Sequence, residues 1–488
     1  MNKTSTTSVH EAIKRYQSSL NATDYARLLD LANEPAPIAV RVNHLKSAQP
    51  QAFLANLAAR YGWVTKPVVF FPEALTIESA DIAPGQTLEH RMGQYYVQDA
   101  ASMLPVSLFS KPEPTVLTLD MAASPGGKTT QLVDLNLDRG LVVANDATAS
   151  RLPALKTVMS LWGAGNLAIT NFPGENLGDW LPNTFDRVLL DAPCSMEGLR
   201  DSPSHPFRPI SETERERLAN RQLNLLISAL KSAKIGAEIV YSTCTLAPEE
   251  DEMVVNALLK RYPGAVEIIP QPHFASAQGL SSFAGQEFET ALKHSIRVWP
   301  FSFGTNGFFS VKLLKTAAIP TDASLPPGRP FTSTGLAAIR KEGLSQIQKF
   351  LQDEFSLDFE RVLTDMRGIL FQRQGQVFLI PEAWLTHFAT FPYHSLGMPV
   401  GKLLKGLFEP STDLFNRWNH LIQERNWLLP QQWVETWLRG GDVRGSGLPG
   451  VPKSGFVIVR DELGRYLGAG KVIPGRVRNL LSSRNLIM

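Results

Sequence analysis

Cysteine is scarce in this chain: its 488 residues include two. Two thiols cannot build a disulfide framework, which fits a reducing compartment. No Cys/His cluster has zinc-site spacing, so no structural metal is expected. No run of roughly 18 apolar residues occurs, which excludes an ordinary helical membrane span. The first twenty residues are polar and charged and lack the apolar core of a secretory signal, which points to the cytoplasm. Neither sign of charge dominates: 48 Lys and Arg stand against 46 Asp and Glu. Total charge therefore names no partner. Its distribution says more, because residues 451–488 hold seven Lys/Arg and two Asp/Glu. Such a patch can meet phosphates, and a solvated basic tail would have the same composition. At 43% hydrophobic and 19% charged residues, the chain is that of an ordinary globular protein. Its length allows about two to four domains.

Residues 1–34 place Ala12, Ile13, Tyr16, Leu20, Leu28, Leu29 and Leu31 at helical spacings until Pro35 and Pro37 break the pattern. A strand is predicted at 38–42, a helix at 51–61, and strands at 63–64 and 68–71. Together these make an N-terminal α+β module over 1–110. From 111 to 315 apolar strands alternate with helical runs, the strands predicted at 115–119, 141–145, 167–170, 187–190, 238–241 and 308–313. Regular alternation predicts an α/β domain with a parallel, doubly wound sheet. Residues 316–330 are rich in proline and small residues and read as a linker. An intermediate α+β region follows at 331–390. The last unit, 391–488, carries Trp418, Trp427, Trp433 and Trp437 and ends in strands. Those tryptophans suit a core, with base stacking as the alternative.

The first strand of the α/β domain runs into Asp120-Met-Ala-Ala-Ser-Pro-Gly-Gly-Lys-Thr-Thr130 and opens a helix. Gly126 and Gly127 allow close approach of backbone to a ligand, and a helix start offers free N–H groups. Strand two ends in Asn145-Asp146, where a carboxylate suits a pair of ribose hydroxyls. That combination describes a nucleoside pocket. The same turn also matches a relaxed phosphate-binding loop, with Gly127-Lys128-Thr129 as its end, Ala122 in place of the first glycine, and Arg187–Asp191 as the acidic strand. A P-loop NTPase is therefore a second reading.

Both cysteines follow strand-like runs, Arg187-Val-Leu-Leu-Asp-Ala-Pro-Cys194 and Glu238-Ile-Val-Tyr-Ser-Thr-Cys244. Ligands of open α/β sheets bind beyond the carboxyl ends of the strands. Free cysteine is also a common core residue, so position alone does not decide. Two thiols beside a nucleoside pocket suit methylation of a pyrimidine at carbon 5. A thiolate adding to C6 turns the unreactive C5 into a nucleophile, and a second thiol can assist the later loss of proton and thiol. Asp191 stands where a carboxyl could orient the base. Cys244 precedes a helix expected near Pro248, which favours its thiolate. Glu249, Glu250 and Asp251 oppose it. The residues alone do not say which thiol attacks.

The segments Asp120–Gln131, Leu189–Ser195 and Val240–Glu252 resemble the Sun-type (NOP2/Sun) family of RNA cytosine-5 methyltransferases. Val40-Arg-Val-Asn43, Gly93–Ser102, Arg297-Val-Trp-Pro300 and Gly307-Phe-Phe309 extend the resemblance over about 35–315. It implies a Rossmann-like S-adenosylmethionine-dependent methyltransferase domain. It also implies Cys244 as the covalent nucleophile and Cys194 as the thiol that assists release, beside Asp191 as the catalytic candidate that orients the base. The cofactor would be held by Ala122, Ala123, Ser124, Pro125, Gly126, Gly127, Lys128, Asp146 and Asp191. Leu467-Gly-Ala-Gly-Lys-Val472 and Gly475-Arg-Val-Arg-Asn479 resemble a PUA-like RNA-binding ending over 391–488. This ending is similar to the bacterial branch that modifies a decoding-region cytosine of 16S ribosomal RNA. The implied partner is ribosomal RNA in the small subunit, met by a monomer without membrane or metal. A non-catalytic RNA-binding assembly factor is a further alternative. Three positions depart from the family. Pro173 replaces an acid expected near the adenine, Met196 replaces a glycine after Pro-Cys-Ser, and Lys234-Ile-Gly-Ala237 replaces an Arg-Pro-Gly-Gly turn.

Overall fold

The computed structural model describes residues 13–485 except 33, 48, 112, 199–209, 323, 446, 447, 483 and 484. Ala12 and the rest of the first predicted helical stretch before Ile13 lie outside the described residues. A 3-10 turn at Lys14–Tyr16 and a helix at Ala22–Leu31 follow, the helix capped by the Asn21 side chain accepting from the Asp24 amide. Next comes a four-stranded antiparallel sheet of β1 (Ile38–Val42), β2 (Val64–Val68), β3 (Phe71–Ser79) and β4 (Tyr95–Gln98), in the order β2-β3-β1-β4.

The central sheet has nine strands. Five are parallel, in the order β7-β6-β5-β8-β9: β5 (Leu117–Asp120), β6 (Leu141–Asn145), β7 (Leu167–Thr170), β8 (Phe185–Asp191) and β9 (Ala233–Thr243). Every residue of β5, β6 and β7 is buried, as expected where helices cover both faces of a parallel sheet. Beyond β9 the sheet is not parallel, contrary to the expectation from sequence. β10 (Val266–Ile268) comes next, then a small hairpin of β11 (Ser282–Phe283) and β12 (Gln286–Glu287). β13 (Ile296–Val298) and β14 (Phe308–Lys315) complete the domain. β14 runs antiparallel to β9, and both β10 and β13 pair antiparallel with β14. The helix Glu252–Arg261 carries the chain from β9 to β10, which runs in the direction of β9, and β14 then inserts between them in the opposite direction.

The described residues of 316–330 carry no helix or strand. The boundary expected at 390 does not divide the sheets. One antiparallel sheet takes β15 (Ala337–Ala338), β16 (Gly368–Arg373), β17 (Gln376–Pro381), β19 (Met398–Leu404) and β20 (Leu407–Pro410). It spans residue 390 because β17 pairs with β19. The short β18 (Ser395–Leu396) between them pairs with β7, so the C-terminal half covers the free edge of the central sheet. A last sheet joins β21 (Asn426–Leu428), β22 (Val443–Arg444), β23 (Gly455–Arg460), β24 (Tyr466–Ile473) and β25 (Arg476–Asn479) in the order β21-β23-β24-β25-β22. Trp418, Trp427 and Trp437 are buried in its core, and Trp433 packs against it. Among the described residues no helix is long and apolar enough to cross a membrane.

Candidate active site

The five parallel strands deliver Asp120, Asp146, Asn171, Asp191 and Cys244 to one edge of the sheet, at or just past their carboxyl ends. Strand order reverses at β5, with β6 on one side and β8 on the other. Such a reversal opens a crevice for ligands.

One half of this crevice is the glycine turn. Gly126 has φ +116°, and a Cβ there would come within 3.0 Å of Met159 Cε and 3.1 Å of Leu155 Cδ1. Only glycine satisfies both backbone and packing at this point. Gly127 then starts the helix Gly127–Leu135. Asp146 fastens the turn to β6, accepting the Ser124 amide at 3.1 Å and the Thr148 amide at 2.9 Å. Arg151 lies 3.5 Å from the same carboxylate. Ala123 donates its amide to the Asn145 carbonyl at 2.8 Å. The sequence reading missed Asp120. Burial pushes its carboxyl up to about 7, Thr129 donates to Oδ2 at 2.7 Å, and Oδ1 is buried without a partner. Its one sequence signal was its place as the acid closing the strand that enters the turn. Asp146 and the orphaned Asp120 oxygen fit a cofactor that presents a ribose diol and an ammonium group.

Lys128 does not serve a phosphate here. Its Nζ donates to Asp191 Oδ2 at 2.6 Å and lies 5.3 Å from the centroid of Phe308. The Thr129 hydroxyl, which a P-loop would turn to a metal, is given to Asp120. The NTPase reading fails on both groups.

The other half holds the thiols. Cys194 Sγ and Cys244 Sγ are 3.3 Å apart, both partly buried. Asp191 joins the halves, with Oδ1 accepting from Ser242 at 2.9 Å and Oδ2 from Lys128. The hydrogen bond to Cys244 and then burial push the Cys194 thiol well above its ordinary range, with the Glu250 carboxylate adding to the rise. Cys244 instead lies within electrostatic reach of the Lys128 ammonium.

Each of the three acids after Cys244 has a partner, while Glu249 Oε2 and Glu250 Oε1 are buried without one. Glu249 accepts from Arg15. Glu250 faces the other loop, accepting the Ser195 amide at 2.9 Å and Gln222 at 2.8 Å. Asp251 is 3.1 Å from the Arg297 guanidinium, which also binds Glu252 and donates to the Leu246 carbonyl at 2.9 Å. The helix expected at Pro248 begins at Glu252 after a turn, so its N-terminus is farther from Cys244 than the sequence suggested.

The remaining motifs brace the site. Arg41 on β1 is buried and reaches Asp134 and Thr130 of the turn helix, each at 2.6 Å, above the Trp162 ring at 4.8 Å. Asn43 bonds the Gly93 and Trp162 carbonyls at 2.8 and 2.9 Å. Asp99 accepts from Asn306 and caps the Ala101 amide at 2.7 Å. Pro173 precedes the helix Gly174–Trp180 and offers no acid, whereas Asn171 Nδ2 donates to the Asp146 carbonyl at 2.7 Å. Met196 adopts φ +62°, a left-handed conformation that explains why glycine is usual there.

A Rossmann-like sheet with a glycine turn and an acid ending its second strand defines an S-adenosylmethionine-dependent methyltransferase. The family model described as 16S rRNA methyltransferase RsmB/F matches residues 107–314, and the N-terminal domain of 16S rRNA methyltransferase RsmF matches 10–100. The ribosomal RNA small subunit methyltransferase F of Erwinia tasmaniensis is 31% identical over 471 residues, 94% of this chain and 92% of that protein. That of Cronobacter sakazakii is 33% identical over 467 residues, 91% and 89% of the two chains. A methyltransferase homolog protein from Pyrococcus horikoshii, solved as a crystal structure, has a TM-score of 0.56 at 28% identity, covering 64% of this chain and all of its own. The chain belongs to the ribosomal RNA small subunit methyltransferase F family.

Proposed function

We propose that this protein methylates carbon 5 of a cytosine in the decoding region of 16S ribosomal RNA, with Cys244 as nucleophile and Cys194 as the releasing thiol. The observation that carries this is the thiol pair, 3.3 Å apart at the ends of adjacent parallel strands and next to the Lys128–Asp191 ion pair. S-adenosylmethionine supplies an electrophilic methyl group. Ala122 to Lys128, Asp146 and Asp191 would hold it, with Asp120 facing its ammonium.

Cys244 forms the S–C6 bond, and the displaced π electrons make C5 nucleophilic. Lys128 stands within electrostatic reach of the attacking sulfur, while Asp191 orients the base from its N3 edge. Once C5 is methylated, its proton must leave and the S–C6 bond must break, returning the electron pair to Cys244. Forming the S–C6 bond removes the sulfur anion that held the Cys194 proton. The Cys194 thiol can then give its proton to solvent, and the resulting thiolate accepts the C5 proton as the C5–H electrons re-form the C5=C6 bond. The target base must be unstacked, since attack comes from its face. The N-terminal module and a PUA-like C-terminal unit would position the RNA through phosphates and shape. The protein would act as a cytoplasmic monomer on the small ribosomal subunit.

Bisulfite mapping of 16S ribosomal RNA from cells with and without the gene tests the reading. One decoding-region cytosine should lose protection when the gene is absent. An unchanged map, with purified protein also failing to transfer label from S-adenosylmethionine to 16S RNA, would contradict it.

A further inference from the structure

The N-terminal arm touches both cysteine loops. Arg15 Nη2 donates to Glu249 Oε1, five residues after Cys244, and Arg15 Nη1 lies 3.9 Å from Glu197 Oε2, three residues after Cys194. The Glu197 side chain is nearly buried, and Arg215 binds both its oxygens at 2.7 and 3.1 Å, whereas Arg15 Nη1 approaches it as an ion pair without a hydrogen bond. The Arg15 guanidinium is itself enclosed, 5.7 Å from the Tyr16 ring and 5.6 Å from Phe283. Tyr16 packs edge-on against Trp299 at 5.7 Å and shares an apolar cluster with Leu246, two residues past Cys244. Trp299 in turn covers the Arg297 guanidinium at 5.3 Å. On the inner side, the Gly198 amide donates to the Cys244 carbonyl at 3.1 Å. The two loops are thus joined directly at Gly198 and clamped from outside by the arm.

We infer that Arg15 is a positioning residue, which clamps Glu197 to Glu249 and so fixes the separation of Cys194 and Cys244. The inference rests on the two-thiol mechanism proposed above. It assigns the arm a task other than gripping RNA. A planar guanidinium can face two carboxylates at once, which an ammonium cannot do with the same geometry. Losing the clamp lets the loops drift, and a small misplacement of reacting groups lowers the chemical step while leaving RNA affinity intact.

The full-length protein with Arg15→Met, Glu249→Gln or both is compared with wild type in two assays. The first measures methylation of 16S RNA as separate kcat and KM. The second needs neither RNA nor cofactor and uses the aromatic disulfide DTNB. One thiol attacks it and releases one thionitrobenzoate. The neighbouring thiol then displaces the second, leaving a Cys194–Cys244 disulfide and two thionitrobenzoates from one reagent. Each single variant should lower kcat and slow the second release about tenfold, with KM changed by less than about twofold. The double variant should be no worse than the more damaging single one, because both changes break one contact. Arg15→Lys should recover part of the loss. A rise in KM with kcat and second release unchanged would overturn the inference and make the arm an RNA grip. Since Glu249→Gln is isosteric, it reports even if Arg15→Met folds poorly. If no variant and no wild type methylates RNA, the proposed function fails, while the thiol assay still decides the clamp.

Discussion

The loop after β8 and the loop after β9 leave neighbouring parallel strands and bring their thiols within 3.3 Å of each other, but they are held differently. The Cys244 loop rests on buried charge. Arg297, fully buried, is matched by Asp251 and Glu252, and the guanidinium also fixes the Leu246 carbonyl. The Cys194 loop combines an ion-paired acid, Glu197 bound by Arg215 at 2.7 and 3.1 Å, with neutral bonds. Gln222 donates to the Pro193 carbonyl at 2.9 Å, and the Ser195 and Thr245 hydroxyls meet at 2.9 Å. The Glu250 carboxylate adds to the rise of the Cys194 thiol, and the Lys128 ammonium lies within electrostatic reach of Cys244. Two residues of the same type on equivalent loops thereby receive opposite electrostatic surroundings.

The largest effect should come from exchanging that asymmetry for nothing. Cys244→Ala should lower methyl transfer by on the order of a thousandfold or more, measured as label incorporated into 16S RNA under single-turnover conditions. Next is the frame of the Cys244 loop. Arg297→Met leaves the buried Asp251 and Glu252 carboxyl groups without their guanidinium partner, and denaturant unfolding should show a loss of about 3–5 kcal/mol. A loss below about 1 kcal/mol would mean that the loop is not held by charge. A smaller effect is expected on the Cys194 side. Glu250→Gln removes a negative charge that raises the thiol, so Cys194 should ionise at lower pH. The pH at which adduct release reaches half its maximum should move down, and a shift upward would contradict the assigned surroundings. The smallest effect belongs to Met196, whose φ of +62° is a strained position in the Cys194 loop. Met196→Gly should raise stability by about 1 kcal/mol in the same unfolding experiment, with kcat unchanged.

Much of this site was readable before any coordinates. Continuous apolar runs mark β6 and β7 at the residues where they occur, because strands buried on both faces leave no polar alternation to misread. Asp146, Asp191 and the thiols could be placed because strand ends in a parallel sheet share one edge. Other features could not be read. β14 reverses against β9, and β10 and β13 are three residues each, too short for a period to show. The boundary at 390 failed because β17 and β19 pair across it, a long-range fact with no local trace. Arg41 stood in the sequence as one charge in an apolar strand, and its purpose is visible only with Asp134, 93 residues away, beside it. The acids after Cys244 are held by Arg15, Gln222 and Arg297, all distant in sequence, so their partners leave no local trace.

The central claim is that the two thiols have separate tasks, and covalent trapping tests it most directly. Cys194→Ala protein is mixed with 16S RNA and S-adenosylmethionine and run on a denaturing gel. A slow-migrating protein–RNA species should accumulate, and it should vanish in the Cys194→Ala/Cys244→Ala double variant. If Cys244→Ala protein forms the trapped species and Cys194→Ala protein does not, the assignment is reversed and the account of the two loops is wrong.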